Sequence, residues 1–152
     1  TGALGDRVTV TVNIGDNTSS ALRFDVNLDS TTGYRSQIEY SKFYDCTEGG
    51  VIALLNKAVK LRADVFLPQD APAPTSVEFW VQEGPERNYE PWYAGPSTSL
   101  EHGQWVTVEW QAGARGFGLW QFPYQFGLEV KSEGVYYRGP VYFDNITIIY
   151  QP

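Results

Sequence analysis

Apolar and polar residues alternate with a period of two along much of the chain. Val8, Val10 and Val12 are spaced by Thr9 and Thr11, and Leu22, Phe24, Val26 and Leu28 by Arg23, Asp25 and Asn27. Successive side chains of a strand point to opposite faces, so each run predicts a strand half-buried against a core. Further runs cover Arg35 to Phe43, Val59 to Leu67, Val77 to Gln82, Trp105 to Trp110, Gln125 to Lys131 and Val141 to Tyr150, separated by Gly, Pro, Asp and Ser clusters. About eight such strands close most naturally as an all-β sandwich of jelly-roll type, made of two antiparallel sheets. The helix-like stretch Val51 to Lys57 is too short to stand as an independent helix. Pro68 to Pro74 resembles a linker, but strand patterns continue on both sides, so it reads as a long surface loop within one domain spanning 1–152.

The parity of each strand sorts its side chains into a core face and an open face. With Val77, Phe79 and Val81 turned to the core, Glu78, Trp80 and Gln82 share the opposite face. The run from Gln125 repeats the arrangement: Phe126, Leu128 and Val130 turn inward, while Gln125, Gly127 and Glu129 turn outward, Gly127 leaving room for a ligand. Val59, Leu61, Ala63 and Val65 alternate with Lys60, Arg62 and Asp64, so Arg62 stands either on the same polar face as Glu78 and Glu129 or in a solvated row. A flat indole flanked by amides and carboxylates suits a sugar, whose C–H face stacks on the ring while its hydroxyls need donors and acceptors at the edge. The same parity also fits a Trp80 that merely covers a sheet edge or loop.

Two aromatic segments flank these strands, Tyr89 to Tyr93 and Trp120 to Tyr124. On loops beside the polar face, Trp92 and Trp120, with Tyr93 and Tyr124 next to them, are expected to wall a groove. Trp105 and Trp110 fall on opposite faces of one strand and are expected to pack.

Composition sharpens this picture. Five Trp, ten Tyr and eight Phe in 152 residues exceed what a core of this size needs, so some rings face solvent or a ligand. A net charge of −7 with no basic run opposes contact with nucleic acid or an anionic membrane and favours a neutral ligand. With Cys46 as the one cysteine, no internal disulfide and no Cys/His zinc pattern can form. The first residues, Thr1 to Asp6, lack the basic and apolar regions of a signal peptide, and the chain reads as a mature or excised segment.

Catalytic constellations are sparse. His102 lies in a turn, no Gly-x-Ser-x-Gly elbow supplies a nucleophile, and Asp45 and Glu48 beside Cys46 disfavour its thiolate. Glu78 and Glu129 on one face could in principle flank a glycosidic bond, although shared hydrogen bonding to sugar hydroxyls is the milder reading. Asp144 interrupts an apolar strand and needs a partner: backbone amides, Asn145 or a hard cation such as Ca²⁺.

The closing strand Val141-Tyr142-Phe143-Asp144-Asn145-Ile146-Thr147-Ile148 resembles that of jelly-roll carbohydrate-binding modules. With Ala21 to Leu28 early, Leu61 to Pro68 midway and Tyr137 to Asn145 late, the layout is most similar to the mannan-binding family twenty-seven modules of β-mannanases. That resemblance implies a groove on one sheet in which Trp or Tyr rings stack β-1,4-linked mannose units, and a structural Ca²⁺ linked to Asp144. The expectation is a secreted, extracellular, monomeric and non-catalytic module. It would bind a neutral β-linked polysaccharide, β-mannan before β-glucan, through Trp80, Trp92, Trp120, Glu78, Gln82, Glu129, Arg62, Tyr93, Tyr124 and Gln125. A covalently linked glycoside hydrolase would be its partner. The alternatives are a small jelly-roll glycanase or lyase and a protein-binding adhesive sandwich.

Overall fold

The computed structural model describes residues 7–12, 20–41, 58–72, 75–83, 92–111 and 123–150. The strands are β1 (Arg7–Val12), β2 (Ser20–Leu28), β3 (Arg35–Ser41), β4 (Ala58–Phe66), β5 (Thr75–Glu83), β6 (Trp92–Ala94), β7 (Thr98–Ser99), β8 (Trp105–Gln111), β9 (Pro123–Ser132) and β10 (Tyr137–Tyr150). No helix occurs among the described residues; the helix-like segment 51–57 lies outside them.

Two antiparallel sheets result, one ordered β1-β2-β10-β4-β8 and the other β3-β9-β5-β6, with β7 also paired to β5. From β2 to β5, and again from β7 to β10, each step along the chain crosses to the other sheet, which is the path of a jelly roll. The all-β sandwich expected from periodicity is the observed fold. Two elements were not visible in that pattern. β6 and β7 hold three and two residues, too few for alternation to register, and both fall where loops were expected. The terminal strand β10 lies in the middle of its sheet, bonded to β2 on one side and β4 on the other.

The core fills the space between the sheets. Phe24, Val26 and Leu28 of β2, Leu61, Ala63 and Val65 of β4, Val108 of β8, and Val141 and Phe143 of β10 face Val77, Phe79 and Val81 of β5 and Phe126, Leu128 and Val130 of β9. Phe24 and Phe143 meet across β2 and β10 with centroids 6.2 Å apart and planes inclined at 48°. Each large apolar side chain withdrawn from water in this way stabilises the fold by about 1.5–3 kcal/mol.

The turn between β2 and β3 launches the edge strand of the second sheet. Asp29 accepts hydrogen bonds from the Thr31 and Thr32 amides at 2.8 and 3.0 Å and from the Thr31 hydroxyl at 2.6 Å. These bonds, the Thr31 hydroxyl first, hold its carboxyl below the usual aspartate range. Gly33 and Tyr34 follow in the left-handed region at φ 64° and 60°, and the Ser132 amide donates to the Tyr34 carbonyl at 3.0 Å, tying the turn to the end of β9.

Candidate functional site

The outer face of the β3-β9-β5-β6 sheet can be read row by row from its register. Gln37, Glu129 and Glu78 lie side by side across β3, β9 and β5; Gly127, Trp80 and Ala94 form the next row across β9, β5 and β6; Gln125, Gln82 and Trp92 form the one beyond. The structure therefore brings Glu78, Trp80, Gln82, Trp92 and Glu129 to one face. The backbones of Tyr124 and Gln125 belong to β9, while their side chains, and the whole of Trp120, lie outside the described residues.

Trp80 is 1% exposed, which corrects its expected role as an open stacking platform. Its indole lies across Gly127, where a Cβ would sit 2.7 Å from Cε2 and Cζ2 of the ring and 2.2 Å from the Ile38 carbonyl oxygen. Gly127 thus makes room for Trp80 and not for a ligand. On the other side Trp92 stacks on Trp80, with centroids 6.3 Å apart and planes within 25°, in the separation range of offset aromatic stacking. Trp92 itself is 41% exposed. The result is a two-storey aromatic platform on a glycine floor, and the upper ring comes from the edge strand β6.

Two further expectations are corrected. Arg62 belongs to β4 in the opposite sheet, where its guanidinium lies 3.6 Å from Asp64 on the solvent side. Its strand parity was right, but sheet membership is a non-local property that parity does not carry. Tyr93 pairs with Val81 and packs against the core cluster, so it turns away from the open face. Between Trp92 and Tyr93 the alternation of a strand, not of a loop, decides which ring is outside.

Beside the aromatic stack lies a polar cluster. Lys131 Nζ donates to Glu78 Oε1 at 2.5 Å and lies 3.1 Å from Glu129 Oε2. Gln37 Nε2 donates to Glu129 Oε1 at 3.1 Å. Burial disfavours the Lys131 ammonium, yet its two carboxylate partners outweigh that effect and raise its pKa above the ordinary lysine value. Gln37 and Lys131 were not singled out in the sequence. Lys131 has the outward parity of Gln125, Gly127 and Glu129 and could have been found that way; Gln37 enters only through the pairing of β3 with β9.

Glu78 and Glu129 are 6% and 2% exposed and stand opposite each other on neighbouring strands, sharing one ammonium. Glycoside hydrolysis needs two carboxyl groups placed on either side of a scissile bond, and this adjacent, covered pair does not present that arrangement. His102 lies elsewhere, bridged to Leu67, with Nε2 3.4 Å from the Pro72 carbonyl. Cys46 is outside the described residues.

Two polar atoms of the face are buried without a hydrogen-bond partner among the described residues, the Trp80 indole nitrogen and Glu129 Oε2. Oε2 does lie 3.1 Å from the Lys131 ammonium, as the second arm of its ion pair with the two carboxylates. An unpaired buried group costs about 1–3 kcal/mol, so each such atom needs a reason to be there.

Asp144 stands on the outer face of the other sheet, in register with Asp64. Its Oδ1 accepts from the Asn145 amide at 2.7 Å, where the β10–β4 ladder bulges and Asn145 adopts φ 49°. Asp64 receives the Thr107 hydroxyl at 2.7 Å on Oδ1 and Asn145 Nδ2 at 2.8 Å on Oδ2. Among the described residues no group of three or more His, Cys, Asp or Glu is placed to hold a metal. Among the described residues, then, Asp144 Oδ1 and both Asp64 oxygens are met by protein donors, and Asp144 secures a bulge.

No protein-family model and no curated protein sequence matches the chain. Solved structures do share its fold. The CBM22-1–CBM22-2 tandem domain of Paenibacillus barcinonensis Xyn10C superposes with a TM-score of 0.66 at 14% identity over 99% of this chain and 45% of that one. The Clostridium thermocellum Xyn10B CBM22-1–GH10 modules complexed with xylohexaose give 0.63 at 14%, covering 99% and 25%. Caldicellulosiruptor saccharolyticus CBM27-1 in complex with mannohexaose gives 0.61 at 15%, covering 94% and 82%. The chain spans about half the length of the tandem chain and 54% of another matched carbohydrate-binding chain. At these identities what is shared is the fold, the β-sandwich of carbohydrate-binding modules.

Proposed function

We propose that this chain is a non-catalytic carbohydrate-binding module that holds a neutral β-linked glycan, β-mannan first and β-glucan next, on the outer face of the β3-β9-β5-β6 sheet. The observation that carries this reading is Trp92, 41% exposed and backed by the buried Trp80, on the same face as the amide and carboxylate row of Gln37, Glu129 and Glu78. A rigid indole offers its free face to the C–H side of a pyranose, and Gln82 is its register neighbour for the hydroxyls at the edge. The fold shared with modules solved with mannohexaose and xylohexaose supports a β-linked chain as ligand, and the CBM22-1–GH10 structure supports work in tandem with a catalytic module. Such a module acts outside the cell by raising the local concentration of its attached glycoside hydrolase at the substrate.

Stacking and hydroxyl contacts are offset by the cost of ordering a flexible chain, so dissociation constants on the order of micromolar are expected. Titration calorimetry with mannohexaose, cellohexaose and xylohexaose tests the reading. Trp92→Ala should weaken binding at least about tenfold, a loss near 1.4 kcal/mol, and should lower the thermal midpoint only modestly, because 41% of the residue is exposed and no backbone rests on its ring. Absence of heat with every hexaose, or unchanged affinity in Trp92→Ala, would overturn it.

A further inference from the structure

Two buried atoms of the site face make no hydrogen bond, one a donor, Trp80 Nε1–H, and one an acceptor, Glu129 Oε2, whose one charged neighbour among the described residues is the Lys131 ammonium at 3.1 Å. They stand in adjacent rows: Trp80 is opposite Gly127, and Glu129 follows Gly127 by two residues on the same face of β9. The Trp80 ring reaches over Gly127 with Cε2, the carbon bonded to Nε1, and the neighbouring Cζ2. The part of the indole nearest β9, the strand that carries Glu129, is thus the part bonded to Nε1. The Glu129 carboxylate is held by its other oxygen, which accepts from Gln37 Nε2 at 3.1 Å.

A hydroxyl is the smallest organic group that answers both atoms, accepting through a lone pair and donating through its proton. Resting on the glycan-binding reading above, we propose that Trp80 Nε1–H and Glu129 Oε2 form a hydroxyl-reading subsite, in which one sugar hydroxyl accepts from the indole and donates to the carboxylate. In the unliganded chain both atoms are withdrawn from solvent, and the Lys131 ammonium, 3.1 Å from Oε2, is the neighbour that must yield. Lys131 is long and unbranched, bonds Glu78 at 2.5 Å and only flanks Glu129 Oε2. Ligand entry displaces Lys131 from Oε2 without breaking its bond to Glu78.

The subsite sets specificity. A site built to bond a hydroxyl rejects an analogue that lacks it, because its own buried groups then stay unpaired. A deoxy sugar satisfies neither atom, and an esterified or methylated hydroxyl loses the proton that Glu129 needs. The class of ligand selected is a neutral chain with that hydroxyl free.

The test replaces Trp80 by benzothienylalanine, which keeps the bicyclic ring and lacks the N–H, and compares it with Glu129→Gln and Trp92→Ala. Mannohexaose, cellohexaose and their O-methylated forms serve as ligands, read by titration calorimetry and by the thermal midpoint. The expected result for the benzothienyl variant is affinity at least tenfold weaker with a midpoint equal to or above that of the natural chain, since a buried unpaired donor has been removed. A merely structural indole would leave affinity unchanged. The natural chain should discriminate against the O-methylated ligands, and the benzothienyl variant should lose most of that discrimination. Affinity within twofold of the natural chain, with Trp92→Ala still weak, overturns the subsite and leaves the platform standing; the two atoms are then bridged by an internal water. If the natural chain binds none of the hexaoses, subsite and glycan reading fall together.

Discussion

Trp80 is held by contacts that differ in what they tolerate. Above it, Trp92 is the partly exposed ring of the stack, and truncating it uncovers Trp80 without moving backbone. Underneath, a Cβ on Gly127 would lie 2.2 Å from the Ile38 carbonyl oxygen and 2.7 Å from the indole. The carbonyl is backbone of β3 and cannot retreat without loosening the β3–β9 ladder. Gly127→Ala is therefore expected to destabilise by about 1–3 kcal/mol, lowering the thermal midpoint by roughly 2–10 °C for a chain of this size, and to weaken glycan binding by tilting the ring that supports Trp92. A calorimetric midpoint equal to that of the natural chain would show that the glycine floor is not needed. At this scale the sequence told the direction of each side chain but not its depth. Trp80 has outward parity, and whether it is open or covered depends on Trp92, which arrives from a segment 12 residues further on.

Elements carry the titration behaviour of the fold. Tyr137 opens β10 with its phenol buried, and burial pushes its pKa up to about 12, while the hydroxyl donates to the Pro140 carbonyl at 2.9 Å. Lys131, near the end of β9, is also shifted upward. In both groups the folded pKa lies above the unfolded one, so the folded chain keeps protons that the unfolded chain releases. Their contribution to stability is whole below the ordinary pKa values of about 10 and is lost as pH rises through the folded values. The thermal midpoint should hold between pH 7 and roughly 9.5 and then fall, with one tyrosine ionising near pH 12 in a phenolate absorbance titration. Tyr137→Phe should remove that last ionisation and flatten the alkaline slope; a slope identical to that of the natural chain would assign it to other groups. The long strands were legible because alternation over nine residues in β2 and β5 or ten in β9 is hard to miss. The three residues of β6 offered no such signal, and with them the placement of Trp92 over Trp80 was hidden.

At the scale of the molecule the question is which of two outer faces binds. The opposite sheet also carries aromatics, since Tyr142, Phe66 and Trp105 lie in one register row across β10, β4 and β8. Phe66 meets Trp105 at 48° and Tyr142 at 63°, with centroids 5.5 and 6.2 Å away, so one pair is tilted, the other edge to face, and the rings form no shared plane. Around them the charges are paired, Arg23 with Asp25 at 2.8 Å and Lys60 with Glu109 at 3.0 Å, as on a solvated surface. Among the described residues the near-parallel pair of Trp80 and Trp92 belongs to the other sheet, and the proposed stacking of a flat sugar ring is assigned there. Arg62 separates the two assignments. It lies on the opposite sheet with 45% of its side chain exposed and only a 3.6 Å approach to Asp64. Arg62→Ala is thus expected to change hexaose affinity less than about twofold and stability by less than about 1 kcal/mol, the range of exposed ion pairs. A large loss of affinity in that variant, with Trp92→Ala unaffected, would move the binding face to the other side of the sandwich. Crossing connections put β4 and β5 into different sheets although they are consecutive in sequence. For that reason a charge on one could share a face with a charge on the other only in a reading made strand by strand.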